Sequence, residues 1–331
     1  MKTTVLCIGD QHVQDSNLID IDMAFKRIIK IVRKIKPTFI VCMGDMLHNH
    51  EKISVTPFNR ALYFLDELSK LSLTYILIGN HDYKNNTQFL SDNHPFNSLK
   101  KWNNVVVVDT VIINEHNGLK FCFCPYVYPG RFVEALNTNK NKWEICKCIF
   151  AHQEFNGCKM GAFISENGDK WDTSYPLVIS GHIHEHQIID NIFYTGSMMQ
   201  NGFAEQDDKK IWLFKFKTTK FSYISFDLKL RKKMIKYIHL DDLPFFNIKD
   251  FDKVVLKLNI KGENTKINSF RSSKKYKEII DSGIKISFTP EYEDITISKN
   301  INGKTYIDIL YELIENNKDS KKLLKRIISN L

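Results

Sequence analysis

Short apolar runs alternate with amphipathic stretches along the first eighty residues. Residues 3–8, 38–43 and 73–78 are uncharged, largely apolar and rich in β-branched side chains, as expected of strands buried on both faces. Between the first two, residues 24–36 put Phe25, Ile28, Ile29, Val32 and Ile35 on one helical face and Lys/Arg on the other. Pro37, which has no N–H to donate, ends that helix. Residues 58–71 repeat the pattern with Leu62, Leu65, Leu68 and Leu71, so the chain predicts a β-α-β-α-β opening. Further strands are predicted at residues 105–108, 120–124, 145–150, 177–180 and 192–194, with few helices between them, so the order shifts toward hairpins. Residues 212–216 are expected to close the sheet.

Beyond that strand the composition turns lysine-rich, which divides a domain of residues 1–220 from a small α+β unit of residues 221–298. In the small unit, apolar runs at 254–260 and 284–288 flank a helix around 274–281. Residues 299–331 read as a helical tail whose stripe of Tyr306, Ile309, Leu310, Leu313, Leu323, Leu324, Ile327 and Ile328 serves either as core or as a docking surface.

With 331 residues, 43 % apolar and 26 % charged, the chain has the balance of an ordinary globular protein. No segment approaches the roughly 20 unbroken apolar residues of a membrane span. The opening MKTTVLCIGDQH leaves no room for an apolar leader, so an intracellular place, cytoplasmic or nuclear, is expected. Cys7, Cys42, Cys122, Cys124, Cys146, Cys148 and Cys158 lie mostly in apolar stretches and never as CxxC, which reads as reduced core thiols. Cys122 with Cys124, and Cys146 with Cys148, would share a strand face, so a soft-metal site is the alternative. The net charge of +9 is uneven: from Lys215 onward 25 Lys+Arg stand against 15 Asp+Glu. A basic last third points to a polyanion, although a coding bias toward lysine also accounts for it.

One kind of residue follows the strands. Asp10 and His12 come after the first run, Gly44-Asp45 after the second and Gly79-Asn80-His81-Asp82 after the third. His152 comes after residues 145–150, and Gly181-His182-Ile183-His184 after residues 177–180. In an open α/β sheet, ligands collect at the carboxyl ends of strands. A lone D-x-H or a single His says almost nothing, but five strand ends with the same order read as one pocket. Imidazole, carboxylate and one amide suit Mn²⁺, Fe²⁺ or Zn²⁺ better than Ca²⁺. Two such ions about 3.5 to 4 Å apart need a shared carboxylate and acidify a water held between them.

The ordered set D-x-H, G-D, G-N-H-D, H and G-H-x-H resembles the calcineurin-like metallophosphoesterases, across residues 10–184. The resemblance implies an α/β fold, a β-sandwich flanked by helices with a small α+β capping domain. It implies that Asp10, His12 and His184 hold one metal, that Asn80, His152 and His182 hold a second, and that Asp45 bridges them. His81 would face the phosphate and assist the leaving oxygen, with Asp82 and Glu185 orienting neighbours from behind.

Protein phosphatases of that superfamily carry an arginine in G-D-x-x-D-R-G, whereas this chain has Gly44-Asp45-Met46-Leu47-His48. His48 instead resembles a histidine of the SbcD-type DNA repair nucleases, and would be a second catalytic residue; the plainer reading is a surface histidine of the His48-Asn49-His50 loop. His152-Gln-Glu154-Phe-Asn156-Gly157, Gly181-His182-Ile183-His184-Glu185, and Tyr194-Thr-Gly196-Ser197 followed by Phe203-Ala-Glu205 are similar to stretches of that group. That likeness implies a Mn²⁺-dependent exo- and endonuclease (Fe²⁺, Zn²⁺ or Mg²⁺ as alternatives), acting on DNA as a homodimer, with a coiled-coil ATPase partner on the tail. Arg231, Lys232, Lys233, Lys274 and Lys275 are the candidate DNA contacts. The competing readings are a nucleotide or small-molecule phosphodiesterase, and a non-catalytic DNA-end scaffold, against which stands a full set of ligand positions.

Overall fold

The computed structural model describes residues 2–251 and 253–291. The first part of the chain runs β1 (Thr3–Ile8), α1 (Leu18–Ile35), β2 (Phe39–Cys42), α2 (Val55–Ser69), β3 (Leu73–Leu77), β4 (Val105–Val108), β5 (Ile112–His116) and β6 (Leu119–Phe123). There follow α3 (Phe132–Leu136), β7 (Cys148–Ala151), β8 (Lys159–Met160), β9 (Phe163–Ile164), β10 (Leu177–Ser180), β11 (Gln187–Ile189) and β12 (Ile192–Tyr194). The last described elements are β13 (Ile211–Phe216), β14 (Phe221–Phe226), β15 (Lys232–His239), β16 (Val254–Glu263), α4 (Asn264–Arg271), α5 (Lys274–Asp281) and β17 (Lys285–Glu291). The predicted helical tail lies outside the described residues.

Two six-stranded sheets carry the fold, ordered β14-β13-β1-β2-β3-β4 and β11-β12-β10-β7-β6-β5. Their inner faces meet in an aromatic layer that includes Phe39, Tyr75, Phe121, Phe123, Phe150, Phe193 and Phe214. The outer face of the first sheet is covered by α1 and α2 through Phe25, Ile28, Phe64 and Leu68. The outer face of the second packs on α3, Trp143 and Phe155. The molecule is therefore mixed α/β, a sandwich of sheets flanked by helices. All seven cysteines are buried and reduced within these layers. Among the described residues no helix is long and apolar enough to cross a membrane.

Strands β1 to β4 are parallel, and so are β6, β7, β10 and β12. The expected shift toward hairpins holds in part: β5–β6, β8–β9, β11–β12 and β13–β14 are antiparallel pairs of consecutive strands, while the centre of the second sheet is parallel. The five-residue α3 lies in the connection from β6 to β7 and the β8–β9 hairpin in that from β7 to β10, so no helical periodicity marks the crossovers. Helix α1 begins at Leu18, earlier than its apolar stripe suggests, and ends where Lys36 turns left-handed and donates its N–H to the Val32 carbonyl ahead of Pro37.

The chain divides into two compact units, Met1–Lys236 with Asn247–Lys257, and Tyr237–Phe246 with Leu258–Leu331. The second has its own small core of Leu243, Leu258, Ile260, Ile267 and Ile279.

Candidate metal centre

The candidate ligands stand on tight turns after β1, β2, β3, β7 and β10. Three of them, His12 (φ 45°), Asp45 (φ 49°) and His182 (φ 74°), hold left-handed backbone that side-chain-bearing residues rarely adopt. Each costs about 1–3 kcal/mol, which the surrounding packing must offset. The glycines of the G-D and G-N-H turns are required by space. A Cβ on Gly44 would lie 2.3 Å from Nδ1 of His152, and one on Gly79 would lie 2.2 Å from Oδ1 of Asp45. Asp82 joins the two turns, its carboxylate accepting the N–H groups of Met46 (3.2 Å), Leu47 (3.1 Å) and Gly79 (3.1 Å). Asp82 therefore positions Asp45 through backbone.

The side chains converge. Donor atoms of Asp10, His12 and His184 lie within 4.8 Å of one another, and so do those of Asp45, His152 and His182. Asp45 faces both groups, with Oδ2 3.5 Å from Nε2 of His12 and Oδ1 3.3 Å from Nε2 of His152. Asn80 points its Oδ1 at His152 Nε2 (3.1 Å) and His182 Nδ1 (2.9 Å). His152 donates its Nδ1–H to the Met43 carbonyl at 2.7 Å, which aims Nε2 inward.

Burial pushes the Asp10 carboxyl up, with Asp45 adding to the push, while His152 and His184 oppose it. Burial also opposes ionisation of Asp45, but His152 and His12 outweigh it and hold the carboxyl well below the usual range. Burial likewise opposes a charge on His152, yet Asp45, Asp10 and the Met43 carbonyl together push it up to about 9. His182, buried beside His152, is driven down to about 3, and burial keeps His12 neutral as well.

This donor set fits divalent cations. Oδ2 of Asp10 is buried without a hydrogen-bond partner, a loss of about 1–3 kcal/mol for a polar atom and more for a charged one. Nε2 of His12 and Nε2 of His184 lie 2.9 Å apart, so the two rings turn a nitrogen toward the same point. Neutral imidazoles and ionised carboxylates are the ligating forms.

His48 and His81 flank this pocket, their donor atoms within 4.8 Å of those of His12. His81 donates its backbone N–H to Asp45 Oδ1 (2.8 Å) and its Nδ1–H to the His48 carbonyl. His50, in the same loop, stacks on the His81 ring at 4.4 Å.

Glu205 takes the place expected for Glu185. It accepts the Nδ1–H of His184 at 3.1 Å and pairs with Lys209 at 2.9 Å. Burial works against its charge, but His184 and Lys209 hold it down to about 2. Its distance from any ligand motif hid the role, although Phe203-Ala-Glu205 was the available signal. Glu185 lines a cavity beside His182 and His184. Among the basic candidates, Lys233 stands close enough to His48 for its charge to help lower the pKa of that imidazole, after burial and His81. Arg231 grips Asp20 with two bonds (2.8 and 3.0 Å), Lys232 pairs with Asp207, and Lys233 donates to the Asn201 carbonyl at 2.8 Å. Lys274 and Lys275 open helix α5 in the second unit.

Residues 3–186 match the family described as calcineurin-like phosphoesterase. "Putative phosphoesterase 078R" of Invertebrate iridescent virus 3 is 40 % identical over 326 residues, 96 % of this chain and 94 % of that one. "Putative phosphoesterase 244L" of Invertebrate iridescent virus 6 is 42 % identical over 287 residues, 83 % of this chain and 98 % of that one. Among solved structures, the purple acid phosphatase PPD1 of yellow lupin is 11 % identical, covering 65 % of this chain and 49 % of that one with a TM-score of 0.42. A family match over more than half of the chain, with two viral relatives aligned along most of it, establishes that the chain belongs to the calcineurin-like phosphoesterases, hydrolases that work with divalent metal ions.

Proposed function

We propose that the protein is a two-metal DNA nuclease that hydrolyses phosphodiesters. The supporting observation is the pair of histidines beside the carboxylate that faces both donor groups: His81 hydrogen-bonded to Asp45, and His48 stacked against it with ring centres 5.7 Å apart. A monoester offers a dianion that a guanidinium clamps well. A diester instead needs a proton at a poor leaving oxygen, which an imidazole supplies.

Asp10, His12 and His184 would hold one ion and Asn80, His152 and His182 the other, with Asp45 shared. Bound there, Mn²⁺ or a similar ion polarises the phosphoryl oxygens and lowers the pKa of water toward neutrality. The protein's own part is positioning. His81, with Nδ1–H committed to the His48 carbonyl, keeps Nε2 for the leaving oxygen. Glu205 fixes the ring of His184, and Met43 that of His152.

The test is incubation of the purified protein with end-labelled single- and double-stranded DNA under Mn²⁺, Mg²⁺ and chelator, alongside a simple chromogenic phosphodiester. Metal-dependent shortening of DNA is expected, with His81→Ala slower by about 10²–10⁴-fold. Hydrolysis of the simple diester without DNA cleavage favours a nucleotide or small-molecule phosphodiesterase.

Lys274 and Lys275 are the proposed DNA contacts that this assay can isolate. They stand in the first turn of α5, where positive charge gains nothing from the helix dipole. Lys274→Glu with Lys275→Glu places carboxylates at a helix N-terminus, a gain of roughly a few tenths of a kcal/mol that offsets the loss of the exposed Lys275–Glu278 pair (3.8 Å), so the fold is expected to hold. Slower DNA cleavage with a shallower salt dependence, and an unchanged rate on the simple diester, is therefore expected.

A further inference from the structure

A cavity of about 360 Å³ opens beside the metal centre, walled by His182 and His184 on one side and by Met160 and Gly161 of the β8–β9 hairpin on another. The hairpin is two residues of strand on each side of a Gly161-Ala162 tip. Its register sets Met160 opposite Phe163, so the two side chains share a face of the ribbon. Phe163 is 79 % exposed, Ile164 61 % and Met160 40 %. Neighbouring apolar groups left this open to water mark a surface made for contact.

The base of the hairpin is fixed. Gln187 accepts the Lys159 N–H at 2.8 Å and donates its amide to the Lys159 carbonyl at 2.9 Å. Ser165 donates its N–H to the Cys158 carbonyl at 2.8 Å and its hydroxyl to Glu154, whose other oxygen lies 4.0 Å from His182. The segment that delivers His152 thus runs straight into the hairpin, which sets Met160 and Gly161 on the cavity beside His182 and His184, with Phe163 across the ribbon from Met160.

We propose that this cavity and the β8–β9 hairpin form a nucleobase subsite, in which Phe163 stacks on a base of the substrate strand while the adjoining phosphate lies at the metal centre. The inference rests on the DNA-cleaving reading above and names what recognises the strand. Stacking suits a nuclease because every base has a flat face, so an aromatic ring binds without reading sequence. The cavity has the size of a small-ligand site, and Gly161, Gly202 and Ala204 keep its rim low. The stacked base must be free of its duplex neighbours, as at a single-stranded end.

The full chain loaded with Mn²⁺ is given short single-stranded oligodeoxynucleotides carrying 2-aminopurine or an abasic residue at successive positions. One position is expected to show 2-aminopurine quenching by stopped flow before turnover. Phe163→Ala should raise KM about tenfold or more with a smaller change in kcat, and Phe163→Trp should restore it. An abasic residue at the quenched position should cost the parent protein the same factor and Phe163→Ala nothing further, as coupled partners require. Equal abasic penalties in both proteins overturn the subsite. So does an altered mass in sedimentation of Phe163→Ala with unchanged KM, which makes the hairpin a protein contact. Hydrolysis of a simple phosphodiester with no oligonucleotide cleaved overturns the nuclease reading, and the subsite falls with it.

Discussion

Glu205 shows how much one side chain outside any ligand motif can matter. Its carboxylate receives the His184 Nδ1–H and is itself held by Lys209 and by the N–H groups of Asn201 and Gly202. Glu205→Gln is expected to weaken metal binding about 10–100-fold, read by calorimetric titration with Mn²⁺. Gly79→Ala thrusts a methyl group to 2.2 Å from the Asp45 carboxylate and 2.3 Å from its backbone nitrogen, so the whole Asp45 turn must shift. A displacement near 1 Å there should cost about 10²-fold in kcat while the circular dichroism spectrum stays as it was. Away from the centre, buried Asp109 accepts from His94 at 3.1 Å and pairs with Lys100. Burial opposes its charge, but those two partners prevail and hold the carboxyl below its ordinary value. A carboxyl depressed on folding stabilises the protein above its unfolded pKa and loses that contribution as pH falls through the folded one. Asp109→Asn should therefore unfold at lower urea at pH 7, by about 1 kcal/mol, because Lys100 is 41 % exposed and solvent screens its pair. The gap to the parent should close as the pH drops below about 4.

Among the elements, α1 and α2 were readable from their 3.6-residue stripes, and their packing rests on Phe25 and Phe64, stacked at 3.8 Å with rings 2° from parallel. Phe64→Ala should cost about 3–5 kcal/mol in urea denaturation. Arg231 belongs to this scale, because it ties the start of β15 to α1 through Asp20, a residue only 4 % exposed. Its positive charge was legible in the sequence, but not its partner 211 residues away. Strands β6, β7 and β10 were located to within a few residues, whereas their parallel pairing was not. Loop crossovers leave no periodic trace, and register depends on which sheet a strand joins.

For the whole molecule, the two sheets present the carboxyl ends of their parallel strands to one pocket, three ligand turns from one sheet and two from the other. Divalent ions held by Asp10, Asp45, His152 and His182 would tie the two sheets together across that seam. Mn²⁺ at about a hundred times its Kd should add about 2.7 kcal/mol to unfolding, a gain that chelator abolishes. What the sequence alone determined was local: which runs are strands, that each of five strand ends carries oxygen or imidazole donors, and that glycine precedes most of them. Those features are written in neighbouring residues, by side-chain alternation and by turns that admit no Cβ. Only the tertiary structure decided that the strands form two sheets, that Asp45 looks toward both donor groups, that Glu205 supports His184, and that the β8–β9 hairpin borders the same cavity as His182 and His184. Each of those depends on contacts between residues distant in the chain, which no local pattern of hydrophobic and polar positions specifies.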